Sequence, residues 1–327
     1  MAQVKGSNRM RRKFLVSMFI VGVAIVVLEI VARYGLGLGD PPLSIRDTEI
    51  DYIFAPNQNC HRFGNRIVYN NVSMRCDFNL SNDWVGDRVF VVGDSVVNGG
   101  VLTDHKDLAT TLLQEALDPS ATMMQVCHVS AGSWGPGNYA AYFRKYKGLI
   151  GTNDIIVIEV NSHDLWEDDP SLTQGNRVGN DIALPDHKPF CALSDGFWRY
   201  FVPLLRRHLG LSSVNTKVDV PKWGKNGDDD QAKYNLKMLD EIFQLPWKGR
   251  FLLIWRSREE SAKAEATIGE KVFRHYAKER GITVIDVGCN TMDYRDAIHP
   301  SIIGQRKMFE SLKNCLESSI ERQVLGK

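Results

Sequence analysis

Residues 89–100 have the sequence Val89-Phe90-Val91-Val92-Gly93-Asp94-Ser95-Val96-Val97-Asn98-Gly99-Gly100. The four apolar residues at the start, three of them β-branched, predict a parallel strand that is buried on both faces. Gly93 permits a sharp exit from this strand, and Gly99 and Gly100 predict a turn on the far side. Open α/β sheets bind ligands at the carboxyl ends of their strands, so this stretch indicates that Ser95 lies at a ligand-binding edge.

From residue 88 onwards, strand-like and helix-like segments alternate. This alternation predicts an α/β fold with one parallel, doubly wound sheet of five strands. A dinucleotide-binding version of the class is disfavoured, because no G-x-G-x-x-G follows the first strand and no G-x-x-x-x-G-K-[ST] occurs anywhere. The first predicted strand ends at Ser95, and the other four cover residues 123–129, 154–160, 251–255 and 282–287. The predicted helices lie near residues 104–117, 138–149, 231–243, 259–280 and 300–321.

A long insertion interrupts this alternation after the third strand. Residues from about 165 to 228 are rich in Asp, Pro, Gly and Asn, and an unpatterned segment of this length is usually functional or disordered. Within it, residues 197–211 have the pattern of an amphipathic helix, with aromatic and leucine side chains on one side and arginines on the other.

The segment before the first strand has a different composition. Residues 35–42 form a Gly- and Pro-rich linker. Residues from about 45 to 85, which we call the apron, are polar and are predicted to be irregular. The apron could pack beside the active face or form solvated surface. It contains Arg62, Arg66 and Arg75.

The N-terminus predicts a membrane anchor. Five basic residues precede Phe14 to Val31, an apolar run of about 18 residues, which is enough to span a bilayer. A cleavable signal peptide has a shorter apolar region, about 7–15 residues, and Val31-Ala32-Arg33-Tyr34 is a poor cleavage site. A helix that packs on the surface of a soluble domain would be apolar on one stripe only, whereas this run is apolar on all faces. We therefore expect residues 14–34 to stay in the membrane, with Glu29 able to pair with Arg33.

The basic residues also predict the topology. Segment 1–13 should remain in the cytoplasm, which places residues from about 40 onwards outside the cytoplasmic membrane, in the periplasm or the extracellular space. Export would permit disulfides among the six cysteines, and Cys60 with Cys76 is the first candidate pair. Cys127 and Cys289 lie in or beside strand-like runs and could instead be core residues.

The overall charge excludes some classes of partner and cofactor. Lys and Arg number 40 against 39 Asp and Glu, so no basic excess points to nucleic acid, and no nucleic-acid-binding signature is present. No cysteine has zinc-ligand spacing. We expect neither a metal nor another cofactor.

Polar residues follow the predicted strands at their carboxyl ends. Ser95 follows the first strand, Gly132 lies in a turn after the second, and Asn161–His163 follow the third. Asp296 and His299 come after the last strand, immediately before the closing helix. A serine becomes a nucleophile when a base takes its proton, and an imidazole base needs an acceptor that fixes its tautomer. Ser95, His299 and Asp296 supply these three functions.

Four landmarks together resemble the SGNH (GDSL-type) hydrolase superfamily. They are Gly93-Asp94-Ser95, the glycine turn at Gly132, a polar tetrad ending in Asp164, and Asp-x-x-His at residues 296–299. The resemblance covers roughly residues 88–320, within a predicted domain at 86–322. It implies a flavodoxin-like fold and serine-dependent cleavage or transfer of O-acyl esters without a metal. By the same resemblance, Ser95 is the nucleophile, His299 the base, Asp296 its orienting acid, and the Ser95 and Gly132 N–H groups are oxyanion donors.

The third motif departs from the family pattern. The family's Gly-x-Asn-Asp places an asparagine side chain at the oxyanion, whereas this chain has Asn161-Ser162-His163-Asp164. His163 stands where that asparagine would be, and a neutral imidazole N–H can donate a hydrogen bond. Asn161, two residues earlier, is the less favoured alternative.

Several other residues have competing interpretations. Asp94 could cap the helix after the turn, and Asp293 is expected at the surface. Trp134 and Trp166 could stack on sugar rings, although core packing is at least as well supported. The acidic residues from Asp164 to Asp169 fit a solvated loop better than a cation site.

These observations predict a membrane-anchored serine esterase that hydrolyses acetyl-like O-acyl esters on a cell-surface or secreted glycan. An O-acyltransferase of an exopolysaccharide, with the insertion as a lid that excludes water, would use the same triad. A third hypothesis is a catalytically silent glycan-binding protein, which the histidine in place of asparagine keeps open.

Overall fold

A computed structural model describes residues 2–209 and 228–325 of the chain. The strands are β1 (Ser44–Asp47), β2 (Asp51–Phe54), β3 (Gln58–Arg62), β4 (Asn65–Tyr69), β5 (Asp87–Gly93), β6 (Met124–Ser130), β7 (Ile155–Val160), β8 (Gly249–Ile254) and β9 (Thr283–Asp286). The helices are α1 (Ala2–Ile30), α2 (Ser95–Asn98), α3 (Ala109–Leu117), α4 (Pro136–Lys145), α5 (Ala192–Gly196), α6 (Val202–His208), α7 (Asp228–Phe243), α8 (Arg258–Ser261), α9 (Ile268–Glu279) and α10 (Ile302–Leu325).

The last five strands form one sheet in the order β6-β5-β7-β8-β9, and every neighbouring pair is parallel. Helices α4, α7 and α9 pack on one face of the sheet, and α3 and α10 pack on the other. The predicted doubly wound, flavodoxin-like fold is confirmed. Its strand order reverses between β5 and β7, so the end of β5 lies at the switch point where open α/β sheets bind ligands.

One predicted helix is split in two. We predicted a single helix over residues 259–280, but α8 ends at Ser261 and α9 begins at Ile268. Thr267 caps α9, because its side chain accepts a hydrogen bond from the Glu270 N–H. The predicted helix over 197–211 consists of a π-helical turn at Phe197–Phe201 followed by α6, and residues 210 and 211 lie outside the described residues.

The apron is not irregular. It contains two antiparallel hairpins, β1–β2 and β3–β4, which pack beside the active face. Arg75, which is 1% exposed, donates hydrogen bonds to the carbonyls of Asn98, Gly100 and Thr103. The apron therefore supports the loop that follows Ser95.

The N-terminal helix matches the predicted anchor in length and composition. The segment Arg11–Gly35 is long and apolar enough to cross a membrane, and none of its apolar window is buried against the rest of the protein. The predicted ion pair between Arg33 and Glu29 is present at 2.8 Å.

Two predictions about single residues are wrong. Cys60 and Cys76 are both free and buried, as parts of different apolar clusters, so they are small core residues and not a disulfide pair. Asp293 is fully buried. Its carboxylate accepts hydrogen bonds from the Asn290 N–H at 2.6 Å and from Lys307 Nζ at 2.7 Å, which compensates the burial of its charge.

Candidate active site

Ser95 is the first residue of α2, directly after β5. Asp94 caps this short helix by accepting a hydrogen bond from the Val96 N–H at 2.7 Å, and Gly99 ends it with φ of 71°. Gly93 has no room for a side chain, because a Cβ there would lie 2.4 Å from Val97 Cγ2. The sequence around Ser95 thus produces a tight strand-to-helix turn.

His299 and Asp296 reach Ser95 from the loop between β9 and α10. His299 Nε2 lies 2.9 Å from Ser95 Oγ, and His299 Nδ1 lies 2.8 Å from Asp296 Oδ2. Asp296 Oδ1 also accepts hydrogen bonds from the backbone N–H groups of His299 and Ile298. The structure therefore brings together the three residues that the sequence indicated, in one continuous hydrogen-bonded chain.

The electrostatics of these three hydrogen-bonded residues suit general-base chemistry. Partial burial alone would raise the pKa of Asp296, but the hydrogen bonds from His299 and Ile298 lower it below its usual value. Asp296 is therefore ionised at neutral pH and holds Nδ1 of His299 in its protonated form. Nε2 is then free to accept the Ser95 proton.

Of the other predicted site residues, Gly132 lies at the cavity beside Ser95, whereas His163 and Asn161 do not. The Gly132 carbonyl accepts a hydrogen bond from the Tyr52 hydroxyl at 2.7 Å. The Asn161 amide donates to the carboxylates of Asp164 at 3.0 Å and Asp94 at 3.5 Å.

His163 is half-buried beside a different carboxyl group. Burial raises the pKa of Glu260, but hydrogen bonds from Ser162 and Ser257 and the nearby charge of His163 lower it overall. The oxyanion role of His163 stays a prediction.

Other residues with competing interpretations are now placed. Trp134 is a core residue, 2% exposed, and Trp166 packs against the same core. Asp164 is also buried, so the acidic segment is not simply a solvated loop. Among the residues that the structure describes, no group of three or more His, Cys, Asp or Glu side chains could hold a metal ion.

A layer of buried acids lies beneath the Ser95 turn. Burial raises the pKa of Asp94 to about 6 and that of Glu167 to about 7. Glu159 and Asp164 have pKa values raised well above the usual range, first by burial and then by the charge of Asp94. Glu159 is fully buried on β7, where a Cβ added at Gly93 would meet its carboxyl at 2.8 Å. Burial therefore favours the protonated, uncharged form of Glu159.

Glu159→Gln should make the folded state less sensitive to alkali. Between the unfolded and folded pKa values of Glu159, the folded chain keeps a proton that the unfolded chain releases. The stability that this proton contributes is therefore fully present below about pH 4 and is lost as the pH rises, by at most about 1.4 kcal/mol per pH unit. Glutamine removes this titration. In detergent micelles, the melting temperature of Glu159→Gln relative to wild type should be higher at pH 8 than at pH 5. The exposed control Glu115→Gln should show no such change, and equal differences at both pH values would contradict the assignment.

The cavity beside Ser95 is mostly built by elements that the sequence analysis left undefined. Its volume is about 210 Å³. The two hairpins supply four aromatic or aliphatic side chains, and the insertion supplies a second wall. Short runs of aromatic and β-branched residues, such as residues 52–54 and 67–69, could have indicated these strands. The lining residues from the hairpins are Tyr52, Phe54, Ile67 and Tyr69, and those from the insertion are Arg177, Asp181, Ala183 and Leu184.

No family model and no curated protein matches this chain. Solved structures are similar to it in overall shape. A member of the lipolytic protein G-D-S-L family from Veillonella parvula is 9% identical, with a TM-score of 0.39, over 69% of this chain and 96% of that one. An acetylxylan esterase from Geobacillus stearothermophilus, solved as a catalytic mutant, is 14% identical, with a TM-score of 0.36, over 70% and 94%.

A third similar structure is LAE5, described as an alpha/beta hydrolase enzyme from the metagenome of Lake Arreo, Spain. It is 15% identical, with a TM-score of 0.42, over 71% of this chain and 95% of that one. At identities this low, what the chain can do follows from the geometry of its own site.

Proposed function

We propose that this chain is a serine esterase that hydrolyses O-acyl esters, with Ser95 as nucleophile, His299 as general base and Asp296 as orienting acid. The observation that carries the proposal is the hydrogen-bonded chain from Ser95 Oγ through His299 to Asp296, with contacts of 2.9 and 2.8 Å. The Ser95 end of these hydrogen bonds lies at a cavity that Ser95 itself lines. A nucleophile, its base and room for a substrate are therefore adjacent.

The reaction follows from these positions. His299 Nε2 takes the Ser95 proton as Oγ attacks the ester carbonyl, and then returns that proton to the leaving alcohol. Water hydrolyses the acyl-enzyme by the same route in reverse, so ester and water give acid and alcohol. The N–H groups of Ser95 and Gly132 are the proposed oxyanion donors. His163 is the proposed third donor, because the amide of Asn161 is committed to two carboxylates.

Solvent access supports hydrolysis over acyl transfer. The side chains of His299 and Asp296 are 30% and 48% exposed, so water reaches the base. Transfer to an acceptor would need a site that excludes water. The natural substrate is proposed to be an acylated glycan outside the cytoplasmic membrane, with residues 14–34 as the anchor.

A fluorophosphonate probe tests the nucleophile directly. The wild-type chain should be labelled at Ser95, and Ser95→Ala should lose all labelling while retaining its fold by circular dichroism. A labelled wild type that transfers acyl groups to an acceptor glycan, with no free acid released, would instead identify a transferase. No labelling of the wild type, together with glycan binding unaffected by Ser95→Ala, would indicate the silent binding protein.

The cavity supports an acyl group larger than acetyl. A cavity of about 150 Å³ holds one benzene molecule, so about 210 Å³ beside Ser95 has room for about eight carbon atoms on the same scale. Its walls are largely aromatic and aliphatic, which favours a hydrocarbon chain.

We expect kcat/KM for p-nitrophenyl esters to rise from acetate to hexanoate. Each buried methylene contributes about 0.8 kcal/mol, or roughly fourfold in rate. Ala183→Trp, which adds a large ring to the lining of the cavity, should abolish this rise and leave acetate hydrolysis within about threefold of wild type. The exposed control Ala264→Trp should keep the wild-type profile. A wild-type optimum at acetate would show that the acyl group does not enter the cavity.

A further inference from the structure

An exposed apolar face runs along the part of the insertion that contacts the end of α1. We call it the aromatic face. The relative solvent-accessible area is 101% for Phe190, 59% for Trp198 and 61% for Leu204. Soluble surfaces seldom expose so many large apolar side chains together, and such patches mark interaction sites. The aromatic face comprises Phe190, Phe197, Trp198, Phe201, Leu204, Leu205 and Leu209.

The opposite side of the same helical segment is polar and faces the protein. Asp195 and Arg199 pair at 3.1 Å, and both side chains are only 13% exposed. Arg62, which is buried, donates to Asp195 at 3.3 Å and to the Tyr200 hydroxyl at 2.8 Å. The polarity is thus inverted relative to a helix on a water-facing surface, which turns its apolar stripe inwards. Such an arrangement suits a segment whose outer side contacts a medium less polar than water.

This segment is fixed to the end of α1. Glu29 accepts hydrogen bonds from the backbone N–H groups of Ala192 at 2.8 Å and Leu193 at 3.0 Å, which caps the start of α5. Arg33 donates to the Phe190 carbonyl at 2.6 Å, and Ala32 packs against Ala192. The aromatic face consequently starts at the level where the apolar run of α1 ends.

We propose that the aromatic face lies in the headgroup–acyl boundary of the phospholipid bilayer that α1 spans; this inference rests on the proposed anchor. Helices with an aromatic and leucine-rich side lie in the plane of that boundary, and Trp and Tyr are enriched there. Trp198 and Tyr34, both exposed, supply such aromatic side chains, and the exposed Arg206 can contact lipid phosphate. The domain is thus held to the membrane at two places, by α1 and by this face.

Quenching by brominated lipid tests this placement. The full chain is reconstituted into vesicles of phosphatidylcholine brominated on the acyl chains near the headgroup, and its emission is compared with that in unbrominated vesicles. The anchor contains no tryptophan. We expect Trp198→Phe to reduce the quenched emission at least twofold, and Phe201→Glu with Leu205→Glu to do the same with Trp198 retained. The controls Trp84→Phe and Ile268→Glu, which lie away from the aromatic face, should quench like wild type.

Each outcome has a defined meaning. Quenching that does not depend on Trp198, in a chain that floats with the vesicles, overturns the inference and leaves the anchor intact. A chain that does not float overturns the anchor and the inference together, while the fluorophosphonate labelling of Ser95 still tests the esterase independently. A dimer in detergent that Phe201→Glu with Leu205→Glu dissociates would show that a second copy covers the face, which also overturns the inference.

Discussion

Ser95→Ala and His299→Ala are each expected to lower kcat/KM for p-nitrophenyl butyrate by about 10³-fold or more. Ser95 carries the only hydroxyl hydrogen-bonded to His299 Nε2 within the described residues. Alanine at 95 leaves no atom to attack the ester, and alanine at 299 leaves no base to take the proton. Because the two groups act as a unit, the double variant should lose little more than either single variant.

Two exposed residues supply matched controls for this experiment. Ser120→Ala and His275→Ala remove the same groups at the surface, at positions outside the cavity, and both should retain wild-type rates. Each variant is assayed as the full chain in detergent, with circular dichroism to confirm folding. A folded Ser95→Ala variant with more than a tenth of the wild-type rate would exclude Ser95 as the nucleophile and with it the proposed mechanism.

The sheet and the juxtaposition of Ser95, His299 and Asp296 could be predicted because each depends on local patterns. A run such as residues 155–158 is apolar throughout, which is typical of a parallel strand covered on both faces. Ser95, Asp296 and His299 follow strands, and parallel strands end at one edge of the sheet. Their proximity in space was therefore implied by the strand order, even though about 200 residues separate Ser95 from His299.

The cavity and the orientation of the Asn161 side chain could not be predicted in the same way. Tyr52 and Tyr69 belong to short hairpins whose pairing is local, but their position over Ser95 depends on packing between distant segments. Strand propensity depends strongly on such context. The orientation of Asn161 likewise depends on Asp94 and Asp164, two acids that are buried only in the folded protein.

Arg75 is the clearest case of a residue whose importance only the structure reveals. In the sequence it is one of several arginines in a polar segment, yet its side chain is buried and donates to three carbonyls of the loop after Ser95. Arginine presents its donors in a rigid planar fork, which lysine does not reproduce. Arg75 therefore fixes Gly100 and its neighbours, which line the cavity.

Arg75→Met is expected to destabilise the fold by about 3 kcal/mol. Three carbonyls lose their donor, two of them buried and that of Gly100 partly buried, and each buried group left unsatisfied costs about 1–3 kcal/mol. Removal of a buried charge from the folded state offsets part of that cost. The melting temperature should fall by about 6–12 °C in a domain of this size. The kcat for p-nitrophenyl butyrate should also fall below that of wild type at 15 °C, where the variant is folded, because the loop beside Ser95 loses its support.

Arg66→Met is the matched control, because Arg66 lies in the same apron but is 37% exposed and pairs with Asp77 at the surface. Exposed ion pairs contribute about 0–1 kcal/mol, so this variant should melt within about 3 °C of wild type. The melting temperature of Arg75→Lys should lie between those of Arg75→Met and Arg66→Met, since an ammonium can reach one or two of the three carbonyls. If Arg75→Met and Arg66→Met melted together, the contacts of Arg75 would be dispensable, and the position of the loop after Ser95 would have to be set by α2 and β5 alone.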